Sequence, residues 1–382
     1  LKTMSEKQLY IGLMSGTSAD SIDAVLVDLG SQKPEVLLTH SLKLESRVKE
    51  QINSLSASGV DEIHRMSLLD RSLGKLFAQA VNELVYLSRS IKGTKDILAI
   101  GSHGQTIRHY PPGKISNNDE GYSLQIGDPN TIAELTGITT VADFRRRDIA
   151  LGGQGAPLVP RFHLEFFEKI GSIRAIINIG GISNITLLLG DGMISSVLGY
   201  DIGPGNGLMD KWVKENLGKD YDESGAWASE GSAVKALLFS LMSTSYITES
   251  APKSTGPELF NMCWLQEHLR KIPPCRPADV QATLLEFTAK TITQALHSHK
   301  LKVDEVYICG GGAHNIALVR RLGELLHPTL VENTSALGVA PGWVEAVAFA
   351  WLAKQTIEGA PGNIPAVTGA KKASILGAVY TK

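Results

Sequence analysis

Cysteine is scarce in this chain of 382 residues, which contains only Cys263, Cys275 and Cys309 and no CxxC pair. Neither a disulfide framework nor a zinc knuckle is therefore expected. No sign of charge dominates, because 37 Lys and Arg stand against 39 Asp and Glu, for a net charge of −2. This balance argues against a nucleic-acid-binding protein with a basic face and against a polybasic membrane-surface protein.

Long apolar segments are also missing. The start of the sequence has no run typical of a signal peptide, and the longest apolar stretch, 336–353, is interrupted by glycine, proline and glutamate. We therefore expect a soluble protein of a reducing, cytoplasmic compartment, without membrane partners.

Two widespread nucleotide-binding signatures do not occur. Neither GxGxxG nor GxxxxGK[ST] is found anywhere in the sequence. The chain therefore carries the fingerprint neither of a Rossmann dehydrogenase nor of a P-loop NTPase. Histidine and carboxylate spacings also give no dedicated metal site, since His297 and His299 would face different directions on a helix.

What is present is the pattern of an α/β protein long enough for about two domains. Two β-rich runs at 10–14 and 24–29 flank a polar turn and predict a hairpin, with a further strand at 36–42. Three- and four-residue spacing predicts one helix over 61–88, and further apolar runs predict strands. These strands lie at 97–101 and 139–142.

The second half of the sequence begins with a similar order of predicted strands. Runs at 173–179 and 185–189 around the turn Gly180–Asn184 predict another hairpin, with 193–198 as its third strand. A strand is then expected at 303–309, before a glycine turn. The predicted helices of this half are 207–216, 229–240, 257–270, 277–299 and 315–326.

Two glycine-containing turns are candidates for binding anions. Gly16–Asp23 combines small residues, hydroxyls and two carboxylates, so its amides suit phosphate oxygens and a carboxylate suits Mg²⁺ held through water. The alternative is an ordinary polar hairpin turn. Cys309–Asn315 carries three glycines between a strand and a helix, which lets a flat group approach the backbone, although this signal is weak by itself.

Four further sites have side chains suited to chemistry, each with a structural alternative. The arginines of 145–147 beside a glycine loop suit an anionic substrate, or form a solvated charge run. His103 follows a predicted strand and is either a site residue or a structural histidine. Asp201, between a predicted strand and a helix, is a general base or belongs to the cap of that helix. Glu345 complements the helix dipole or reaches into a site.

Taken in order, these segments resemble the anhydro-N-acetylmuramic acid kinase family of bacterial cell-wall recycling. One departure concerns the first loop, where Ala19 and Ser21 stand in place of the family's leucine and glycine. The matching stretches are Gly12–Asp23, Ile100–His109, Leu124–Pro129, Val141–Pro160, Asn178–Asn184, Asp201–Asp210, Gly310–Asn315 and Trp343–Ala353.

The resemblance implies an α/β chain with the two-lobed, ribonuclease H-like fold of actin, hexokinase and the sugar kinases, with ATP and substrate in an interlobe cleft. Lobes of 1–170 and 171–382 are expected, with the C-terminal helix and tail packing back on the first. The implied reaction uses ATP and Mg²⁺: water opens 1,6-anhydro-N-acetylmuramic acid while O6 is phosphorylated, which gives N-acetylmuramic acid 6-phosphate. A homodimer is implied as well.

The resemblance also implies roles for individual residues. Asp201, before Gly-Pro-Gly-Asn, is the water-activating base, and Asp20 holds Mg²⁺ through water. The residues implied for ATP and its phosphates are Gly16, Thr17, Ser18, Ala19, Asp20, Ser21, Asp23, Gly180, Gly181, Asn184, Gly310, Gly311 and Asn315. Those implied for the sugar are Ser102, His103, Arg147, Gly205, Asn206 and Glu345, with Arg147 on the lactyl carboxylate.

Two other functions are compatible with the motifs. A plain hexose or hexosamine 6-kinase would use Asp201 to deprotonate an existing hydroxyl group. An actin-like or chaperone-like ATPase would share the two hairpins and report its nucleotide state to a protein partner.

Overall fold

A computed structural model describes residues 7–16, 18–91, 96–112, 120–251, 253–256 and 259–382. The chain forms two compact units, one of Leu1–Phe167 with Trp343–Lys382 and one of Glu168–Gly342. Each unit therefore has its own sheet and its own core.

The first unit is built on one mixed sheet. Its strand order is β3-β2-β1-β4-β6-β12, with β5 paired to β4. Strands β1, β2 and β3 form an antiparallel meander, whereas β4 is parallel to β1 and β6 is parallel to β4. The strands are β1 (Leu9–Ser15), β2 (Ser21–Asp28), β3 (Glu35–Lys43), β4 (Ile97–Tyr110), β5 (Tyr122–Ile126), β6 (Thr140–Ala142) and, near the C-terminus, β12 (Ala378–Tyr380).

The helices of this unit cover the sheet. Leu69, Leu73, Phe77 and Leu84 recur at helical spacing on α2 and are buried in the core with β1 and β2. The helices are α1 (Ser46–Leu55), α2 (Glu62–Ser88), α3 (Pro129–Thr136), α4 (Arg146–Ala150), α5 (Pro160–Phe167), α13 (Val344–Ile357) and α14 (Pro365–Thr368).

Helix α13 packs closely on β1 and β4. Gly12 and Gly101 are register partners in these two parallel strands. A Cβ at Gly12 would overlap the carbonyl oxygen of Ala346, and one at Gly101 would overlap that of Phe349. The missing side chains thus let the helix backbone lie directly on the sheet.

The second unit repeats the plan with strand order β11-β10-β7-β8-β9. Strands β7, β8 and β9 form an antiparallel meander, and β10 and β11 run parallel to β7. The strands are β7 (Arg174–Ile179), β8 (Ile182–Leu188), β9 (Leu198–Pro204), β10 (Glu305–Cys309) and β11 (Leu330–Asn333).

The order β3-β2-β1-β4-β6 of the first sheet matches the order β9-β8-β7-β10-β11 of the second, with the same strand directions, which is the ribonuclease H-like arrangement. The predicted α/β fold class is therefore confirmed. In the described part of the second unit the helices are α6 (Gly207–Leu217), α7 (Ala226–Glu230), α8 (Lys235–Met242), α9 (Ser245–Thr248), α10 (Met262–Leu269), α11 (Pro277–Ser298) and α12 (Ile316–Leu326). None of the described helices is both long and apolar enough to cross a bilayer.

Two predicted strands differ from the structure. The strand predicted at 97–101 lies within β4 but was too short, because β4 continues to Tyr110 by pairing with the antiparallel β5 from Gln105 onward. The strand expected at 193–198 is β9, Leu198–Pro204, because a turn forms first. In that turn the amide of Met193 donates to Asp191 and the amide of Ser196 to the carbonyl of Met193.

Two predicted helices were also wrong in extent. The helix expected at 229–240 is split into α7 and α8 because the backbone at Gly231 is extended and packs against the carbonyl of Ala278. The helix expected at 257–270 is α10, which begins after its N-cap Asn261. Residues 257 and 258 lie outside the described residues.

Candidate functional site

The turn between β1 and β2 has a defined backbone on either side of Thr17, which lies outside the described residues. Ala19 has a φ of 53° and its amide donates to the carbonyl of Gly16 over 3.1 Å, while Ser18 is exposed. Ser21 already belongs to β2 and pairs with Lys43. A side chain at position 21 therefore fits the extended strand.

The two aspartates of this turn have different surroundings. Asp20 is exposed, and its carboxylate accepts a hydrogen bond from the ammonium of Lys49 on α1. Asp23 is partly buried in β2 and accepts hydrogen bonds from the hydroxyls of Ser21 (3.0 Å) and Ser41 (2.6 Å). Asp20 is thus the more accessible carboxylate for a hydrated cation.

Gln105 fixes this turn from the neighbouring strand and was missed in the sequence. Its Oε1 accepts a 2.7 Å hydrogen bond from the buried hydroxyl of Ser15, and its Nε2 donates to the carbonyl of Gly16 over 3.3 Å. Its place in the same polar run as Ser102 and His103, at 102–105, is the signal that could have identified it.

His103 lies inside β4 and is buried. Its Nδ1 is 2.8 Å from the carbonyl oxygen of Gly104, and its Nε2 is 2.7 Å from Nη2 of Arg145. Because Arg145 can only donate, Nε2 is the acceptor and Nδ1 carries the proton. Burial, together with the charge of Arg145, lowers the pKa of His103 to about 3. His103 is therefore neutral near pH 7 and orients the guanidinium.

Ser102 stands beside His103 in β4 and is also buried. Its hydroxyl has no hydrogen-bond partner among the described residues. A buried hydroxyl without a partner is costly, so this oxygen is suited to a ligand or a water molecule.

Arg145, rather than Arg147, occupies the interior of the first unit. Besides His103, its guanidinium contacts the carbonyl of Gly155 over 2.7 Å, whereas the side chain of Arg147 on α4 is exposed. Sequence reasoning singled out Arg147 because of the family match, and nothing in the triplet itself distinguishes the partly buried arginine.

The glycine loop after α4 is held by Asp148, which is fully buried. Its carboxylate accepts hydrogen bonds from the amide of Gly155 (2.8 Å), from Asn363 (2.7 Å) and from Thr368 (2.8 Å). The loop that contacts Arg145 is thereby tied to the C-terminal segment.

Glu345 lies in the first turn of α13 and is partly buried. Burial raises the pKa of Glu345, the charge of Arg145 opposes this rise, and the charge of Asp23 adds to it. The first unit therefore brings Asp23, His103, Arg145 and Glu345 into one interacting group, and it leaves Arg147 at the surface.

In the second unit the β7–β8 turn and the segment after β9 bind to each other through backbone hydrogen bonds. The amide of Asn206 donates to the carbonyl of Gly180 over 2.7 Å, and that of Gly205 to the carbonyl of Gly181 over 3.0 Å. Asn184 was expected in the turn but lies in β8, paired with Asn178 and Asp201.

The glycine turn after β10 adjoins the same place. Gly310 has a φ of +76°, and a Cβ there would overlap the side-chain oxygen of Asn178. A Cβ on Gly311 would lie 3.7 Å from Nδ2 of Asn206. Asn315 is buried and caps α12, its Oδ1 accepting from the amide of Leu318 over 3.1 Å. The structure thus groups Gly180, Gly181, Gly205, Asn206, Gly310 and Gly311.

Asp201 lies within β9, one of the two edge strands of the second sheet. The register between β8 and β9 skips Ile202, because Ser183 pairs with Gly203 and Asn184 with Asp201. Such a bulge re-aims neighbouring side chains. The N-cap of α6 is Asn206, so the alternative that Asp201 belongs to the helix cap is wrong.

Comparison with known proteins identifies the family. A family model described as "Anhydro-N-acetylmuramic acid kinase" matches residues 8–382. A protein of that name from Shewanella loihica is 52% identical over 374 residues, which is 98% of this chain and 99% of the relative. One from Shewanella oneidensis is 50% identical over 376 residues, with the same two coverages. Among solved structures, the activator of 2-hydroxyisocaproyl-CoA dehydratase from Clostridium difficile has a TM-score of 0.45 and 14% identity, over 92% of this chain and 97% of its own.

Proposed function

The chain belongs to the anhydro-N-acetylmuramic acid kinase family, and we propose that it is the ATP-dependent kinase that opens 1,6-anhydro-N-acetylmuramic acid with water and phosphorylates O6. The product is N-acetylmuramic acid 6-phosphate, an intermediate of murein recycling and amino-sugar catabolism. Near-full-length matches to relatives of that name support this proposal.

Ring opening at C1 requires a base that activates water on the face opposite the departing O6, as in inverting glycoside hydrolysis. Asp201 is proposed as that base. The observation that carries this assignment is its placement: the carboxylate stands at a bulge on an edge strand, and its Oδ2 accepts a 3.1 Å hydrogen bond from the amide of Thr255. As water attacks, the C1–O6 bond breaks and Asp201 takes the proton of the water.

The departing O6 then receives the γ-phosphoryl group of ATP. Phosphoryl transfer depends on positioning and on neutralising charge more than on covalent help. We assign the amides and hydroxyls of 16–21, with Asp23, to the phosphates. The glycines of the two turns in the second unit, with Asn184 and Asn315, are assigned to shaping the nucleotide site. The buried cap of Asn315 supports a structural role there.

Mg²⁺ fits the turn between β1 and β2 as a hydrated ion. Asp20 offers one exposed carboxylate, which suits a cation that keeps several waters and binds mainly to phosphates. When bound, the ion would neutralise phosphate charge during transfer. Lys49, which pairs with Asp20, would then remain near the same anionic groups.

The sugar is assigned to six residues. Arg147 would pair with the lactyl carboxylate, and Ser102, His103 and Glu345 would orient the ring, together with Gly205 and Asn206. The unpartnered hydroxyl of Ser102 and the contact between His103 and Arg145 support this assignment.

Family resemblance supports three broader proposals. The protein would act as a homodimer and would work in the cytoplasm. Its lobes would be 1–170 and 171–382, with the C-terminal helix and tail packed on the first lobe. The compact unit that joins Leu1–Phe167 with Trp343–Lys382 supports the packing of the C-terminal helix and tail on the first lobe.

A substrate panel tests the function. We expect ADP and a phosphorylated, hydrated product from ATP and the anhydro sugar, with N-acetylglucosamine and glucose at least about 100-fold slower, because each lacks groups that a polar site would pair. ADP release is followed by a coupled assay and the product by mass spectrometry. Comparable turnover of glucose or N-acetylglucosamine would favour a plain kinase. Sugar-independent ATP hydrolysis with filament formation would favour an actin-like ATPase.

A further inference from the structure

Asp201 is held by one short segment that no sequence motif marks. Its backbone amide donates to the carbonyl of Lys253 over 3.2 Å, and its Oδ2 accepts from the amide of Thr255 over 3.1 Å. Its own carbonyl accepts a 2.7 Å hydrogen bond from the hydroxyl of Tyr246. Residues on the open side of the edge strand thus fix both the main chain and one carboxylate oxygen.

The ammonium of Lys253 connects this segment to α9. Its Nζ donates to the carbonyls of Tyr246 (2.9 Å) and Ile247 (3.4 Å). It also lies 4.6 Å from the ring centre of Tyr246 and 5.9 Å from that of Tyr200. A cation against two aromatic rings and two carbonyls is favourably placed when it is partly desolvated.

This arrangement is unusual for a lysine. Lysine side chains normally keep their charged ends in water, but Lys253 is partly buried, and burial lowers the pKa of its ammonium while the charge of Glu249 opposes this. The carbonyl that receives the Asp201 amide belongs to Lys253 itself. The ammonium that contacts α9 and the carbonyl that accepts the Asp201 amide thus belong to the same residue.

We propose that Lys253 is a positioning residue for Asp201: its ammonium ties residues 253–255 to α9, and these residues hold the carboxylate in one orientation toward the attacking water. The inference rests on the proposed function, in which Asp201 is the base. Lys253 itself touches neither substrate nor reacting atoms in this account.

A specific pH effect follows from the amide on Oδ2. A hydrogen-bond donor stabilises a carboxylate relative to its protonated form, so loosening that donor should move the acid limb of the kcat profile to higher pH. In the described part of the chain, the titratable groups near Lys253 include Glu249, Tyr246 and Tyr200, and the hydroxyl of Tyr200 lies 2.7 Å from Nε2 of His299.

The test uses the full-length protein with Lys253→Met, which keeps the backbone and most of the volume. We expect kcat to fall about 10- to 100-fold, the loss associated with small misplacement of a catalytic group, while the KM for ATP changes less than about twofold. The midpoint of the acid limb of the kcat profile should move up by about half a pH unit or more. Lys253→Arg should recover part of the lost kcat. Lys290→Met, which removes a lysine near Glu286 on α11, is the control.

Two tyrosines provide a matched pair, should Lys253→Met fail to fold. Tyr246→Phe removes the hydroxyl bonded to Asp201, whereas Tyr200→Phe removes one bonded to His299. Of the two, only Tyr246→Phe should lower kcat and move the midpoint of the acid limb to higher pH. Unchanged kcat and pH profile in Lys253→Met, or equal effects of both tyrosine variants, would overturn the inference. If Asp201→Asn is inactive and Lys253→Met behaves like the unaltered protein, only the inference about Lys253 is overturned. If Asp201→Asn is active, the assignment of Asp201 as the base is overturned as well.

Discussion

Replacing Asp201 with asparagine is expected to lower kcat by about 10²- to 10⁴-fold, the usual contribution of a general base. Asparagine has the same shape and keeps one side-chain oxygen, which can still accept the Thr255 amide that bonds Oδ2. It cannot take the proton of the attacking water. Binding of ATP, measured by calorimetry with a nonhydrolysable analogue, should therefore be nearly unchanged.

The control is Asp220→Asn, which removes an exposed carboxylate paired with Lys214 in the same unit. That variant should turn over like the unaltered protein, because a surface ion pair contributes little. If Asp201→Asn retained the kcat of the unaltered protein, Asp201 would not be the base.

Replacing Gly12 with alanine is expected to lower the free energy of unfolding by more than about 3 kcal/mol, at the severe end of single substitutions. The new methyl group would overlap the carbonyl of Ala346 and press on the amide of Ala350. Backbone atoms of a buried helix cannot move aside as a flexible side chain does, so α13 would have to shift from β1. Urea unfolding followed by circular dichroism measures the change.

Gly323→Ala is the matched control for the glycine variant. Gly323 lies inside α12, and a Cβ there would meet nothing within 4 Å. Alanine should therefore raise stability by up to about 1 kcal/mol through helix propensity alone. An equal and small effect of both substitutions would contradict the close packing of α13 on β1.

The hairpins and the two longest helices, α2 and α11, could be predicted because they depend on local patterns. Apolar runs around Gly16 and Gly180 predicted both hairpins, and the spacing of Leu69, Leu73 and Phe77 predicted α2. The end of β4 was missed because it depends on pairing with β5, a contact that no local pattern around 101 contains.

The same distinction applies to the candidate site. Local sequence patterns singled out the glycine turns and Asp201, each within one continuous stretch, and the resemblance to a family added their proposed roles. Gln105 and Lys253 were missed, and Arg147 was chosen over Arg145, because the contacts that matter are distant along the chain. Arg145 contacts His103, Gln105 contacts Ser15, and the main chain of Lys253 contacts that of Asp201. Sequence spacing gives no sign of which arginine in a triplet turns inward.

Incorporation of oxygen isotope from water into the product tests whether water opens the anhydro ring. The protein is given ATP and the anhydro sugar in H₂¹⁸O, and the product is reduced at once so that C1 can no longer exchange with solvent. In the proposed reaction water attacks C1 while the original bridging oxygen stays on C6, so mass spectrometry should find one ¹⁸O at C1 and none in the phosphate. A phosphorylated product without ¹⁸O at C1 would show that no water enters during transfer and would contradict the proposed reaction.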